Sequence, residues 1–454
     1  MLQSLPMKLK VFTAIIVCKA VKALAGLFGR GSSLPGEYAL KICPDILAHL
    51  KLPGLSIAVT GSNGKTSTVE MIAHVLKSSG IKVAYNKEGS NQIEGITTLL
   101  VGASTLGGRV ESDVVLMEVD ERYARKIFKF FHPDYFVINN LYRDQLTRNG
   151  NPEWIKSLIC KAIYEETTLI LNADDPLVAS IGNEREGTVY FGADHLPTDT
   201  KNNEGIYNDG KYCPVCKGPM EYEYYHYNHI GKFKCPYCGF ERHDTDHALT
   251  GTGEKDGKAW ITIDGKYDIP VFFTGIYHSY NILAAYTAAV TAGVEPSKAA
   301  EALAGYVLRS GRITDFSLGN VQGRLLLSKH ENSVSYDRSI DVVVRDSRKK
   351  SVMIIVDAIS RKYYTSDSSW LWDINFERFK DANIEEIILA GQYCDDLAIR
   401  FELAGIDGSK VEVFDQVAEA AEYCRQNLDS FLYVITCFSD KDKILSIVTR
   451  RELE

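Results

Sequence analysis

The stretch IAVTGSNGKTS, Ile57–Ser67, decides the fold class of this chain. Its apolar first half predicts a buried strand, two glycines bound the turn that follows, and a helix is predicted to open after Thr66. The turn can aim backbone N–H groups inward, where the helix N-terminus adds a positive dipole end and Lys65 adds a full charge. This order of parts predicts a phosphate-binding loop in which the Thr66 hydroxyl can ligate Mg²⁺.

The spacing of this loop departs from the commonest phosphate-loop pattern, G-x-x-x-x-G-K-[ST]. The first glycine of that pattern would fall on Val59. The alternative is an ordinary strand-to-helix turn with an exposed lysine. The order Thr-Gly-x-Asn-Gly-Lys-Thr over residues 60–66 favours the phosphate loop.

Composition fits a large globular protein with no nucleic-acid footprint. The 454 residues exceed a single core, and a length prior suggests two or three domains. Hydrophobic residues make up 45% and charged residues 24%, which is ordinary for such proteins. The formal net charge of −8, without a basic run, excludes an electrostatic platform for nucleic acid.

The N-terminal segment predicts a helix. Val11–Cys18 is apolar, and Ala23-Leu24-Ala25 after it also fits the cleavage site of a signal peptide. Lys19 and Lys22 interrupt that apolar run, so we expect an amphipathic helix packed on the first domain or lying against a membrane face. No apolar stretch reaches the roughly 20 residues that a membrane span needs.

Short β-branched runs alternate with helical patterns along most of the chain. Strands are predicted at 55–60, 113–119, 135–139, 168–172, 352–356, 386–390 and 431–436. Helices are predicted at 66–79, 153–166, 279–292, 296–305, 376–381, 394–404 and 416–427. This alternation predicts an α/β protein with parallel strands and ligand groups at their carboxyl ends.

A change of composition divides the chain. Tyr, His, Cys and Gly dominate residues 205–246, without helical periodicity, which indicates a small inserted module. We therefore predict an N-terminal helix and lead-in over 1–50, a nucleotide-binding domain over 51–310 that contains the insert, and a second α/β domain over 311–454.

Polar residues follow the predicted strands where a ligand would sit. Glu118 and Glu121 end the strand at 113–119 and are candidates to hold Mg²⁺ beside the loop. Solvated strand-end acids are the alternative for either one. The turns Asn140–Leu146 and Asn172–Pro176 add amides and carboxylates after two more strands, and only their joint order distinguishes them from ordinary acidic turns.

Two C-x-x-C pairs, Cys213/Cys216 and Cys235/Cys238, predict a closed tetrahedral Zn²⁺ site with a structural role. A redox pair and an iron–sulfur site are the alternatives. His226 and His229 lie between the pairs, and we interpret them as residues of the ribbon, not as ligands. The other cysteines lack the glycine-flanked elbow of a nucleophile, so the chain offers no obvious amidase nucleophile of its own.

These motifs together resemble the Mur ligase superfamily, the ATP-dependent amide-bond enzymes of cell-wall precursor synthesis. The resemblance rests on the loop at 60–66, the Asp-Gln-Leu turn at 144–146, Asn172–Pro176 and Gly275–Ala285. Within the superfamily the chain looks most like the MurT type, the ligase-like subunit of lipid II isoglutaminyl synthase. Features that narrow the resemblance are Ser33–Gly36, Glu118–Glu121, Arg143–Leu146, the four cysteines and Asp367–Asp373.

The resemblance implies a Mur ligase-type central ATP-binding domain with an inserted zinc ribbon, followed by a Rossmann-like domain. It implies that ATP and Mg²⁺ activate the α-carboxyl of D-isoglutamate in lipid II as an acyl phosphate, which ammonia converts to D-isoglutamine. Catalytic roles would fall to Lys65, Glu118 and Asp367, and Mg²⁺ would contact Thr66, Glu118 and Glu121. The implied nucleotide contacts are Thr60, Gly61, Ser62, Asn63, Gly64, Lys65, Thr66, Ser67, Asn281 and Arg312.

The resemblance also implies a partner, a class I glutaminase subunit of the GatD type that supplies ammonia. In such complexes the ligase subunit lends an aspartate to the partner's Cys-His pair, and Asp367 matches best, with Asp373 second. Asp367 equally fits a helix cap ahead of Ser368. Trp370 and Trp372 fit interface anchors or core residues. The implied location is the cytoplasm, with the inner face of the plasma membrane left open as the place of work.

Four positions depart from the family pattern. His278 stands where asparagine is usual, Thr314 where glutamate is usual, Lys329–Ser333 replaces a Lys-Asn-Pro-x-Gly stretch, and Cys437 lies in a changed Leu-Pro-Thr-Tyr-Thr motif. Two rival interpretations therefore stay open. One is another Mur or folylpolyglutamate-type amide ligase, and the other is a non-catalytic nucleotide-binding paralogue.

Overall fold

The structure, a computed structural model, describes residues 6–26, 32–86, 90–144, 149–255, 258–271, 275–306, 313–357, 367–380 and 382–450. The chain divides into two compact units. The first comprises Met1–Tyr142, Pro152–Glu204 and Asn208–Leu308, and the second comprises Arg143–Asn151, Gly205–Tyr207 and Arg309–Glu454. Two short internal segments thus group with the second unit.

The first unit is built on a large, mostly parallel sheet. Its strands are β1 (Leu55–Thr60), β2 (Val83–Tyr85), β3 (Val114–Glu118), β4 (Tyr135–Ile138), β5 (Thr168–Asn172), β6 (Val189–Ala193), β7 (Glu221–Tyr227), β8 (Ile230–Lys234), β9 (His247–Lys255), β10 (Lys258–Ile263) and β11 (Tyr267–Val271). Within the described ranges the sheet order is β11-β10-β9-β6-β5-β4-β1-β3-β2, antiparallel only at β9–β11, while β7 and β8 form a separate hairpin.

Helices cover both faces of this sheet. They are α1 (Met7–Gly26), α2 (Leu34–Ile42), α3 (Lys65–Ser78), α4 (Ile93–Gly102), α5 (Ala124–Phe128), α6 (Pro152–Cys160), α7 (Pro176–Ala179), α8 (Ile276–Thr291) and α9 (Pro296–Ala304). The helices α3, α8 and α9 pack on one another, while α1 packs on α2 and α4. Ala14, Ile15 and Cys18 of α1 are fully buried in that second cluster. The expected packing of the N-terminal helix on the first unit is thus observed.

The position of β1 explains where a ligand site forms. β1 lies between β3 and β4, both parallel to it, and its residues 56–60 are buried because helices cover both faces of the sheet. The chain leaves β1 toward β2 and β3, and then crosses to β4 and β5 on the opposite side. Ligands of open α/β sheets bind outside the carboxyl ends of strands at such a reversal. The loop after β1 therefore stands at the expected site.

The second unit is a three-layer α/β fold. Its elements are β12 (Ile313–Leu318), β13 (Val321–Ser328), α10 (Ser333–Arg345), β14 (Lys350–Ile355), β15 (Ile384–Ala390), α11 (Cys394–Leu403), β16 (Val411–Phe414), α12 (Val417–Asn427), β17 (Phe431–Cys437), α13 (Lys441–Leu445) and β18 (Thr449–Arg450). The order β16-β15-β14-β17-β13 is parallel, and β12 and β18 extend it by antiparallel pairing. The α10 and α11 side chains join one core cluster, and those of α12 and α13 join the other.

Each of the seven predicted strands overlaps an observed one, namely β1, β3, β4, β5, β14, β15 and β17, whereas the other strands were not predicted. The predicted α/β class with parallel sheets is confirmed. The helix expected at 376–381 is a single 3₁₀ turn, Phe376–Phe379. Among the described residues, no helix is long and apolar enough to cross a membrane.

Candidate active site

The loop after β1 has the backbone of an anion cradle. Gly61 and Gly64 have backbone φ values of 135° and 83°, which residues with a side chain rarely adopt. The N–H groups of Ser62 and Asn63 donate to Asn140, at 2.9 Å to its carbonyl and 2.8 Å to its side-chain oxygen. The loop is thereby fixed to the end of β4. The first turn of α3 then supplies the N–H groups that a helix does not use internally.

Lys65 is held at the mouth of this cradle by a buried ion pair. Its ammonium group donates to Glu121 Oε1 at 2.7 Å and also to the carbonyl of Gly61. Only 10% of the Lys65 side chain and 2% of the Glu121 side chain are exposed. A cation fixed in this way offers a charge to a phosphate without a large entropic cost for positioning it.

Glu118 is the second carboxylate at this edge, at the last position of β3. Its carboxylate accepts from Thr66 Oγ1 at 2.7 Å and from Asn91 Nδ2 at 2.9 Å. Asn86 brackets the Glu118 backbone, because its side chain accepts from Glu118 N and donates to Glu118 O. Thr66 and Glu118 therefore present two oxygens side by side, the ligand type that Mg²⁺ prefers.

Asn281 closes the loop from α8. A Cβ atom placed on Gly64 would lie 2.0 Å from Asn281 Oδ1, so the amide rests directly on the glycine. His278 lies one turn earlier on the same helix and so projects from a similar face. The structure thus brings the predicted residue Asn281 to the predicted loop.

We expect Gly64→Ala to weaken nucleotide binding more than about tenfold while sparing the fold. The new methyl group would collide with Asn281 and strain a left-handed backbone, which alone costs about 1–2 kcal/mol. Gly187→Ala is the matched control, since Gly187 has a φ of 72° but nothing within 4 Å of its Cβ position. Titration with a fluorescent ATP analogue should show binding weakened more than about tenfold in Gly64→Ala and unchanged in Gly187→Ala. Equal affinities would contradict the contact with Asn281.

Two of the predicted nucleotide contacts, Thr60 and Ser67, lie at the two ends of the loop. Thr60 is fully buried, and its hydroxyl donates to the carbonyl of Val119 at 2.8 Å, so its side chain ties β1 to the end of β3. Ser67 lies on the first turn of α3. Arg312, and Gln145 and Leu146 of the Asp-Gln-Leu turn, lie outside the described residues.

The turn after β5 holds a buried ionic network that the sequence did not indicate. Asp174 accepts from Tyr280 at 2.5 Å and from Ala193 N at 2.6 Å, and it pairs with Arg242. His226 Nδ1 lies 2.7 Å from Asp199, inside the same region. Burial lowers the pKa of Arg242, but the neighbouring Asp174 carboxylate raises it more, so that the pKa lies above its ordinary value. This network gives the acidic turn a structural role in the first unit.

The four cysteines of the insert converge as predicted. Their sulfur atoms all lie within 4.8 Å of one another, with 3.7 Å between Cys213 and Cys238 and 3.5 Å between Cys216 and Cys235. A tetrahedron with metal–sulfur bonds of about 2.3 Å has sulfur–sulfur edges of about 3.8 Å. The cluster can therefore hold a metal ion. The predicted assignment of His226 and His229 as ribbon residues agrees with their place in the β7–β8 hairpin.

The hairpin of the ribbon is tied to the phosphate loop through Tyr142. The Tyr142 hydroxyl donates to that of Tyr227 on β7 at 2.7 Å, and the Tyr142 N–H donates to Ser62 Oγ at 2.9 Å. On its other side, the Tyr227 ring packs on Tyr277 with centroids 4.1 Å apart. Because Tyr277 belongs to α8, the hairpin supports the loop and the helix that carries Asn281.

Three polar residues of the second unit meet at its first short segment, Arg143–Asn151. Asp144 is 1% exposed, pairs with the ammonium group of Lys329 and accepts from Asn332 Nδ2 at 2.8 Å. Asn332 also caps α10 by accepting from Ser335 N at 2.7 Å. The changed Lys329–Ser333 stretch therefore serves to hold Asp144, which no local sequence signal revealed.

The segment Asp367–Asp373 separates its two aspartates by environment. Asp367 is exposed, and hydrogen bonds from Ser369 lower the pKa of its carboxyl below the ordinary value. Asp373 lies 3.9 Å from the Arg143 guanidinium. Trp370 is 2% exposed and packs on Tyr336, whereas Trp372 is 45% exposed. One tryptophan is thus a core residue and the other is available at the surface.

Comparison with known proteins assigns the two units. The Mur ligase middle domain matches residues 59–236, and the MurT ligase C-terminal domain matches residues 329–440. The lipid II isoglutaminyl synthase (glutamine-hydrolyzing) subunit MurT of Streptococcus pneumoniae is 29% identical and spans 98% of this chain and 99% of that protein. The MurT subunit of Staphylococcus aureus (strain COL) is 28% identical over 91% of this chain and 93% of its own length.

A solved structure agrees on the fold. The pseudomurein peptide ligase type C from Methanothermus fervidus superposes with a TM-score of 0.66 at 22% identity, covering 89% of this chain and 80% of that chain. The two domain matches lie on either side of Arg309 in the chain, where the main part of the second unit begins. The chain therefore belongs to the Mur ligase family, as a member of the MurT type.

Proposed function

We propose that the protein amidates the D-isoglutamate residue of lipid II. The α-carboxylate attacks the γ-phosphorus of ATP, which breaks the β–γ phosphoanhydride bond and releases ADP. Ammonia then attacks the acyl phosphate, inorganic phosphate leaves, and a proton is lost to give the D-isoglutamine amide. The observation that carries this proposal is the buried Lys65–Glu121 pair beside Thr66 and Glu118 in a MurT-type chain.

The loop residues serve phosphoryl transfer in this proposal. Lys65 faces the β- and γ-phosphates and neutralises charge as the phosphoryl group moves. The nucleotide contacts are those predicted from the sequence, with Asn281 placed against the loop and Arg312 outside the described residues. We propose that Thr66, Glu118 and Glu121 supply oxygen ligands for Mg²⁺, which when bound would neutralise charge on the same phosphates. The Thr66 and Glu118 oxygens lie 2.7 Å apart, whereas Glu121 also holds Lys65.

Zinc is the metal that we propose for the cysteine cluster. Four sulfur donors at tetrahedral spacing leave no open position for a substrate, which favours a structural site. The small core around the cluster, which includes Phe233 and Phe240, is too small to hold the ribbon alone.

Ammonia would come from a partner subunit with glutaminase activity, of the GatD type. Asp367 is the residue we propose to complete the partner's Cys-His pair, because its carboxyl is exposed and hydrogen bonds from Ser369 lower its pKa, whereas Asp373 lies 3.9 Å from the Arg143 guanidinium. The exposed Trp372 five positions later supplies an apolar anchor for the same interface. We propose that the complex works in the cytoplasm, where ATP is available.

Asp367→Asn tests the assigned role. With the purified partner, we expect amidation driven by glutamine to fall about a thousandfold or more, because the imidazole loses its orienting charge. Amidation driven by added ammonium chloride should be unchanged. Asp373→Asn is the control and should keep glutamine use. If Asp367→Asn lost amidation with ammonium chloride as well as with glutamine, the proposed role of Asp367 in the partner's active site would be refuted.

The alternative of a non-catalytic paralogue rests on the departures at His278, Thr314 and Cys437. Phosphate release in the presence of lipid II, ATP, Mg²⁺ and ammonia tests the activity directly. We expect release that depends on all four components. Nucleotide binding without phosphate release would favour the paralogue.

A further inference from the structure

Helix α1 is apolar on the side that faces away from the protein. Its inner side packs through Ala14, Ile15 and Cys18. On its outer side Leu9, Phe12 and Ile16 recur at the three- and four-residue spacing of one helical face, and they are 44%, 42% and 42% exposed. The same face continues through two exposed alanines and Leu24, which is 65% exposed. We call this face the α1 stripe and define it as Leu9, Phe12, Ile16, Ala20, Ala23 and Leu24.

The charged residues of α1 itself all have one sign. The helix contains Lys8, Lys10, Lys19 and Lys22 and no acidic residue, although the whole chain has a formal net charge of −8. At 100° per residue, Lys8 and Lys19 fall on one border of the stripe and Lys10 on the other. Lys19 donates to the carbonyl of Gly102 at 3.1 Å, a neutral partner that leaves its charge in place.

We propose that the α1 stripe docks on the surface of an anionic lipid bilayer. A helix of 20 residues, about 30 Å long, would lie in the interface plane with its apolar side chains among the acyl chains. Its bordering lysines would then meet anionic headgroups, and each lysine near the surface strengthens binding about fivefold. A protein partner would be expected to oppose these lysines with acids across a partly polar rim, whereas a face that is apolar except for Thr13, between basic borders, matches a bilayer.

Docking on a membrane would bring the protein close to its proposed substrate, so the biological purpose of docking rests on the proposed function. The proposed substrate carries its stem peptide on a membrane lipid, so a surface-bound ligase searches two dimensions instead of three. The docking itself depends only on α1 and can be measured without ATP or substrate.

Flotation of the full chain with lipid vesicles tests the proposal. We expect binding to vesicles of phosphatidylglycerol and phosphatidylcholine, little binding to phosphatidylcholine alone, and weakening with salt. The double variant Phe12→Ser/Ile16→Ser should bind about tenfold or more weakly, since two large apolar groups no longer enter the bilayer. Lys8→Gln should weaken binding about fivefold. Leu403→Ser, at an apolar side chain 66% exposed on α11, is the matched control and should bind like the wild type.

Three results would overturn the proposal. They are the absence of binding to anionic vesicles, equal binding by the stripe variant and the wild type, and loss of self-association or partner binding in the stripe variant without any vesicle binding. Thermal unfolding of the variants verifies that their fold is kept. Amidation of a soluble short-chain lipid II analogue should be unaffected by the stripe variant, which separates a failure of docking from a failure of the proposed function.

Discussion

Replacing Lys65 with alanine is expected to reduce ATP-dependent phosphate release about a thousandfold. The substitution removes the one side-chain charge that the loop offers to the transferring phosphoryl group, and such charges are worth several orders of magnitude in rate. It also leaves Glu121, 2% exposed, without its ammonium partner at 2.7 Å. A buried carboxylate stranded in this way costs about 3–5 kcal/mol of stability.

The second variant of this test separates the two effects. In Lys65→Ala/Glu121→Gln the stranded charge is gone, so we expect the thermal stability to return toward that of the wild type while activity stays low. Steady-state kinetics and thermal unfolding of both variants decide the matter. Recovery of activity in the double variant would mean that Lys65 serves only to neutralise Glu121, and the assigned role would be wrong.

Replacing Cys213 with serine is expected to remove the metal and unfold the ribbon. Metal binding at structural zinc sites contributes on the order of 10 kcal/mol to folding, and Cys213 is fully buried in the small ribbon core. Elemental analysis should find one zinc per wild-type chain and a loss in the variant. Hydrogen exchange should rise across β7 and β8. Cys160→Ser, at an exposed cysteine outside the cluster, is the control.

Loss of the ribbon should also reach the nucleotide. The chain of contacts from Tyr227 through Tyr142 to Ser62 supports the loop, so ATP affinity should fall in Cys213→Ser although that residue is not in the loop. If the purified protein contains no metal and Cys213→Ser changes neither exchange nor affinity, the cluster is a redox pair and the zinc assignment is wrong.

The local sequence predicted the strands that lie in the core of each sheet. The β-branched runs at 55–60 and 168–172 coincide with β1 and β5, because fully buried parallel strands have few polar residues. The helix α10, SVSYDRSIDVVVR, was not predicted, although Tyr336, Ile340 and Val343 recur at helical spacing on its buried side. The run of three valines at 342–344 favours a strand by local propensity, and tertiary packing decides for the helix. The predicted boundaries at residues 50 and 310 stay predictions.

The site was predictable only in part for a related reason. The spacing around Lys65 and Thr66 is local, so the loop was recognisable in the sequence. The partners of Asp174 and Asp144 were not, because Arg242 is 68 residues and Lys329 is 185 residues away in the chain. Partners that lie far apart in the sequence leave no local pattern. The C-x-x-C pairs do leave one, since the two cysteines of a pair must lie close in sequence to bind one metal ion.

The central claim is that this chain makes an amide at the expense of ATP. The most direct measurement incubates the protein with lipid II, ATP, Mg²⁺ and ¹⁵N-labelled ammonia and analyses the stem peptide by mass spectrometry. We predict one labelled amide on the D-isoglutamate α-carboxyl, formed with one ADP per product and absent in Lys65→Ala. An unlabelled, unchanged stem peptide in the presence of bound ATP would contradict the account.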